Sequence, residues 1–464
     1  DQGNRLEINN ASNGRFHTDW LNMIYPRLKL AKDLLADDGV IFASIDYNEN
    51  FNLRTMMDEI FGKSSFIGEI YWESKTKSQN TITSYNKLQP KAEMIFVYSK
   101  QSKRRFNLIK LGDREYPLCD DRGNYREHVM EVMNANGIRG RETMIFDISD
   151  GTSTVSLPDG KQWQIGIDQV TAYQSAGDLF IRDGKVIIKM RPSYERNENT
   201  EPFWGFFSKS LGTAESAKQE LKDLLGPHGF ETVKPVDVVK RLIYHATQNN
   251  DIILDFFSGS ASTAHATMQL NSEDNGRRKF IMVQLPEAVD EKSETFKAGY
   301  KNICELGKAR IRKAGKKIKE ESGKEDLDIG FRVLKLDSSN MKDIFYRPEN
   351  LFKGNLDMLE DNIKGDRTPN DLLFQVMLDL GIELSSPIEE ISVEGKNIFS
   401  VDNGYLIACF DENISENVMK SIAEIKPSPV YAVFRNSVFS SDSMASNFEQ
   451  IFKTYSPNTK TKVL

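Results

Sequence analysis

At 464 residues the chain has room for two to four domains of roughly 100–200 residues each. Hydrophobic residues make up 39% and charged residues 28%, a globular balance that excludes a disordered chain. A net charge of −7 excludes a uniformly basic surface, so nucleic-acid contact would have to come from a local patch.

No apolar run reaches the roughly 18 residues that a bilayer span needs. Cys119, Cys304 and Cys409 lie far apart, and the five histidines are equally dispersed. Neither set has the spacing of a metal or redox motif, which points to a reducing compartment and no metal.

In chain order, Trp20, Leu21, Ile24, Leu28, Ala31, Leu34 and Leu35 recur at helical spacing and predict a helix over 20–36, stopped by Gly39. Val40–Ile45 reads as a buried strand. A second helix is expected over Asn48–Phe61, closed by Gly62. Strands are expected at Ile67–Trp72 and Met94–Tyr98, separated by the polar loop Lys75–Lys87. Alternating helices and strands predict an α/β fold with a mostly parallel sheet.

From about Lys100 to Gly229 the pattern changes. Short β-like runs at Thr154–Leu157, Trp163–Ile167 and Val186–Met190 alternate with Asp-Gly turns at Asp150, Asp159 and Asp183. This reads as a turn-rich insertion. The α/β pattern resumes at Lys234 and runs to about Lys319. There Leu306, Ile311, Ala314 and Ile318 form an apolar stripe on a helix rich in Lys and Arg. A charged linker over 320–329 precedes a separate α+β domain from Gly330.

The most informative stretch is 251–271. An apolar run ends in Asp255-Phe256-Phe257, a small-residue turn Ser258-Gly259-Ser260-Ala261-Ser262 follows, and a helical pattern begins. Strand, tight turn and helix bring backbone and free N–H groups close to a ligand. A dinucleotide cradle would need G-x-G-x-x-G, and Gly259, Ala261 and Ala264 stand at those positions. One glycine makes a poor pyrophosphate cradle. It suits a cofactor whose amino-acid end folds over the turn, such as S-adenosylmethionine (SAM). His245 and His265 flank the turn and read as helix-face residues rather than ligands.

Lys234-Pro235 lies upstream of this turn, and a second strand, Lys279–Glu287, ends in polar groups downstream. Together the three segments resemble the SAM-binding half of the β-class DNA amino-methyltransferases, in which K-P precedes D-x-F-x-G-x-G. Asp255, Phe257 and Gly259 match, and Ala261 replaces the second glycine. The block Asp19–Asp46 resembles the Mod (modification) subunits of type III restriction–modification systems. So do Leu406–Asp411, Val433–Ser437 and Asn447–Lys453.

The resemblance implies a Rossmann-like SAM-dependent methyltransferase sheet in two parts, 1–99 and 231–320. A target-recognition domain over 100–230 interrupts it, and a C-terminal α+β domain covers 330–464. It implies SAM contacts from Asp255, Phe257, Gly259, Ser260, Ala261 and Lys234, ribose contacts from Gln284 or Glu287, and a pocket position for Asp46. The alternative for Asp46 is the cap of the following helix. DNA-contact candidates are Lys75, Lys77, Lys100, Lys103, Arg104, Arg105, Arg139, Arg141 and Arg191. Trp163, Tyr173, Tyr194 and Trp204 are candidates for base stacking, although each aromatic alone reads more readily as core.

The implied activity is adenine-N6 methylation of a short asymmetric site in double-stranded DNA. The implied assembly is a homodimer that recruits a helicase–nuclease restriction subunit in the bacterial cytoplasm. The family's chemistry is carried by D-P-P-Y, expected upstream of Trp20. No Asp, Asn or Ser followed by Pro-Pro and an aromatic exists here, and Pro427–Tyr431 is the nearest sequence. No catalytic residue is therefore assigned, and the chain is expected to be the C-terminal part of a longer protein. Cytosine-N4 methylation on the same fold and a non-catalytic recognition fragment are the competing readings.

Overall fold

The computed structural model describes residues 16–77, 85, 88–101, 105–135, 140–195, 198–342, 362–412, 414–435 and 442–464. The chain divides into two compact units, Asp1–Phe331 and Arg332–Leu464.

The first unit opens with helix Phe16–Leu34, strand Val40–Ile45 and helix Asn50–Phe61. Ile24 and Leu28 on one helix and Leu53, Met56, Met57, Ile60 and Phe61 on the other pack against Phe96 and Tyr98. Leu34, expected on the same stripe, points to solvent. Four strands form the sheet in the order Val40–Ile45, Ala92–Ser99, Phe66–Glu73, Phe206–Phe207. Ala92–Ser99 runs antiparallel to both of its neighbours, and only Phe206–Phe207 adds in parallel. The expectation of a mostly parallel sheet is thus corrected here. A parallel neighbour needs a crossover, usually a helix, whereas Phe66–Glu73 and Ala92–Ser99 are joined across the polar segment 74–91. The opposite face of this sheet is covered by helix Val236–Ala246, through Val238 and Leu242 on Ile70, Trp72, Ile95 and Val97.

Residues 109–201 form a separate layer. Its strands pair only with one another among the described residues. Its core is its own, built from Met130, Ile148, Trp163, Val170, Tyr173, Leu179, Val186 and Ile188. The strand expected at Trp163–Ile167 ends at Trp163. A helix, Ile167–Ser175, begins where Gly166 serves as its N-cap.

Parallel pairing appears where the chain crosses between strands through a helix. Ile252–Asp255 pairs in parallel with Lys279–Met282, with helix Ser262–Asp274 between them. Val236 and Ile243 meet Ala266 and Leu270, so helix Val236–Ala246 joins this pair to the first sheet. Helix Ile303–Ser322 then packs on helix Ser262–Asp274 through Ile311, Ala314 and Ile318 against Ala264 and Met268. Residues Leu327, Ile329 and Phe331 join that core, so the stretch expected as a free linker is in part structural.

The second unit is a five-stranded sheet, Ile388–Val393, Lys396–Val401, Leu406–Cys409, Tyr431–Phe434 and Lys460–Val463, in chain order. The first two pairings are antiparallel and the last two parallel. Helix Pro369–Asp379 packs on one face and helices Glu416–Ala423 and Asp442–Tyr455 on the other. The expected α+β domain is therefore a mixed sheet between helices, half of it built from crossover units.

Candidate cofactor site

The turn between Asp255 and helix Ser262–Asp274 is held from several sides. Asp255 Oδ1 accepts the Phe257 N–H at 3.2 Å, and Oδ2 accepts the Thr263 hydroxyl at 2.6 Å. Gly259 and Ala261 both take left-handed conformations, with φ of +49° and +60°. For an alanine that geometry costs about 1–2 kcal/mol. Its methyl is buried, which returns part of that cost. Ala261 N–H donates to Ser258 O at 2.7 Å, closing the turn. The first N–H groups of the following helix have no helical acceptor and face the turn.

The flanking residues divide into those left open and those already engaged. Phe257 is 51% exposed, and Val283 and Leu285, at the end of the neighbouring strand, are also exposed. Gln284 Oε1 accepts the Gly259 N–H at 2.8 Å, so its amide oxygen clamps the turn rather than waiting for a ribose. Glu287 is exposed. Lys234 is ion-paired with Glu93 and lies 4.7 Å from the Trp72 ring centroid. Its carbonyl, not its ammonium, reaches the turn by accepting the Ser262 hydroxyl at 2.9 Å. Asp46 is exposed and accepts from Asn48 N and Nδ2 at 3.0 and 2.9 Å. That is a local turn before helix Asn50–Phe61, whose N-cap is Glu49 with no side-chain cap, so Asp46 does not cap it. Ser260 is buried at the back of the turn.

Sequence reasoning missed Arg310. It stands on the helix rich in Lys and Arg, yet it is fully buried, 0% exposed. Its Nη1 donates to Ser262 Oγ at 2.8 Å and Ser260 Oγ at 3.1 Å, and its Nε lies 3.4 Å from His265 Nδ1. Burial holds the guanidinium down to about 10. Burial, then the Arg310 charge, pushes His265 down to about 3, so that imidazole is neutral at physiological pH. Other basic residues of that helix are paired on its outer side, Lys308, Lys316 and Lys317 with Glu305, Glu320 and Glu321.

The DNA-contact candidates scatter. Lys103, Arg104 and Arg139 lie outside the described residues. Lys77, Arg105 and Arg141 are exposed and Lys75 is half-buried. Lys100 is tied to Leu35 O at 2.9 Å and Asp37 Oδ1 at 3.3 Å. Arg191 is a correction. It is 5% exposed, and its guanidinium is consumed by Asp120, Asp178 and the Gly123 carbonyl inside the insertion. Trp163 and Tyr173 are core, and Tyr194 packs edge-on to Tyr173. Trp204 is 57% exposed. Among the described residues, no group of three or more His, Cys, Asp or Glu is arranged to hold a metal, and no helix is long and apolar enough to cross a membrane.

A family model described as DNA methylase matches residues 6–294. The StyLTI Mod subunit of a type III restriction–modification enzyme from Salmonella typhimurium is 32% identical over 324 residues, covering 68% of this chain and 48% of that protein. The EcoPI Mod subunit of Escherichia phage P1 is 27% identical over 456 residues, covering 91% of this chain and 69% of that protein. The type II methyltransferase M.KpnI of Klebsiella pneumoniae is 28% identical over 313 residues, covering 64% of this chain and 74% of that protein. The chain thus spans about half the length of the Salmonella relative.

Proposed function

This chain belongs to the DNA methylase family, and we propose that it is the modification and recognition part of a type III restriction–modification system. Its reaction is transfer of a methyl group from SAM to adenine N6 in double-stranded DNA. The observation that carries this reading is the left-handed turn after Asp255, which leaves an exposed Phe257 beside the N-terminus of a buried helix. A nucleoside with an amino-acid tail fits such a place. Phe257, Val283 and Leu285 offer apolar surface to the ring, and the first amides of helix Ser262–Asp274 are the donors left for the tail. The names of the Salmonella and phage relatives support the type III assignment.

SAM would supply an electrophilic methyl group already activated on sulfur. The chain's own residues bind and orient it: Asp255 and Gln284 fix the turn, and Phe257 walls it. Residues 109–201, with their own core, are suited to reading the DNA target. Lys77, Arg105, Arg141 and Trp204 are the exposed groups available for that contact. The proposed setting is the bacterial cytoplasm, as a homodimer that recruits a restriction subunit.

Methyl transfer from labelled SAM to unmethylated bacterial DNA, read by nucleoside mass spectrometry, tests it. N6-methyladenine is the expected product. N4-methylcytosine would keep the family and overturn the substrate. DNA binding without any product would favour a recognition role alone, a reading kept open by the lack of a D-P-P-Y sequence in these 464 residues.

A further inference from the structure

The turn rests on a cation to which no carboxylate among the described residues is hydrogen-bonded. Arg310 is fully buried, and among the described residues its hydrogen-bond partners are Ser260, Ser262 and His265, all uncharged at neutral pH. Its Nη2 has no hydrogen-bond partner among the described residues. Glu220, with Oε1 4.0 Å from His265 Nδ1, attracts it without a hydrogen bond, and burial raises that carboxyl above its ordinary value. Helix Ile303–Ser322 reaches the turn closely. A methyl group added at Gly307 would sit 3.4 Å from Gly259 O and 3.5 Å from Ala261 Cβ.

A buried, unpaired guanidinium is costly unless something uses its charge. It lies directly under a left-handed turn and at the N-terminus of a thirteen-residue helix. Both features favour an anion on the open side of the turn. The other nearby cations are paired: Lys234 with Glu93, under Trp72, Lys240 with Asp237 and Glu273, and Lys317 with Glu321.

We propose that Arg310 is a positioning residue that makes the Ser258–Ser262 turn selective for a carboxylate-bearing ligand, the amino-acid end of SAM. The inference rests on the SAM reading above. Arg310 touches no ligand. It holds Ser260 and Ser262 in place and adds its field to that of the helix amides.

The test is calorimetric binding of SAM and of decarboxylated SAM, which lacks only the carboxylate, to the wild-type protein and to Arg310→Lys, Arg310→Gln and Arg310→Met. The wild type is expected to prefer SAM by roughly tenfold, the scale of one charge at a helix terminus. Arg310→Gln and Arg310→Met are expected to lose that preference by weakening SAM while leaving the decarboxylated ligand within about twofold. Arg310→Lys is expected to keep most of it. The Met variant replaces the buried charge by an apolar chain and guards against a Gln variant that fails to fold. Equal weakening of both ligands would mean that Arg310 only braces the turn, which overturns the proposal. Equal wild-type binding of both ligands would also overturn it and leave the SAM reading standing. Wild-type binding of neither would sink the SAM reading itself, and the inference with it.

Discussion

Replacing Arg191 by Met is expected to unfold the insertion over 109–201 and to lower its melting temperature by roughly 10–20 °C. Asp178 lies at the base of that layer with a side chain that is 0% exposed. Arg191 Nε and Nη2 bond it, and Nη1 and Nη2 bond Asp120. Removing one partner of a buried pair leaves the other charge stranded, at about 3 kcal/mol or more. Arg122 and Tyr194 also reach Asp178 and soften the loss.

The pH dependence has a definite sign. Burial works to raise the Asp178 carboxyl, but the Arg191 and Tyr194 hydrogen bonds prevail and hold it below its ordinary value of 3.8. Arg191, then Lys189, holds Asp120 below the same value. Acids depressed in the folded state stabilise it fully above the unfolded value and lose that contribution as pH falls through the folded one. The wild-type insertion should therefore resist protease at pH 5 and loosen only well below about pH 4. Limited proteolysis and circular-dichroism melts of both proteins would show this. A Met variant that melts with the wild type would contradict the buried-network account.

Phe257→Ala has the opposite signature. About half of that residue is in solvent, and its ring lies 5.3 Å, centroid to centroid, from that of Phe256. Stability should change by less than about 0.5 kcal/mol. Covering the exposed half of a Phe side chain with a ligand is worth about 1–1.5 kcal/mol, so SAM should bind roughly tenfold more weakly. Calorimetric titration and a thermal melt separate the two effects. Unchanged SAM affinity would remove Phe257 from the site.

What was legible in the sequence follows the kind of signal each residue gives. Val40–Ile45 was readable as a strand to the residue, because an apolar run bounded by Gly39 and Asp46 has few other meanings, but its expected burial was not met, since it lies at the end of its sheet with no residue fully buried. The turn after Asp255 was readable because small residues between a strand and a helix leave little else to form. Arg310 shows where residue type misleads. It stands four residues from both Leu306 and Ala314, so helical spacing placed it inside, while its charge argued it out. Arg191 misled in the same way, since its partners Asp120 and Asp178 are 71 and 13 residues away. The direction of the first sheet was also in the sequence. The expected loop over Lys75–Lys87 offered no helix to carry a parallel crossover, yet helix–strand alternation elsewhere outweighed it. Gln284 could not have been read as a turn clamp, because its hydrogen bond to Gly259 depends on the exact end of the second strand.

The central claim is that the turn after Asp255 seats SAM. Hydrogen–deuterium exchange of the protein with and without SAM tests it most directly, because the amides of 256–264 exchange independently of any methyl transfer. The account predicts slowed exchange over 256–264 and at 283–285, with the insertion over 109–201 unchanged. Protection elsewhere, with residues 256–264 exchanging as fast as in the free protein, would contradict it.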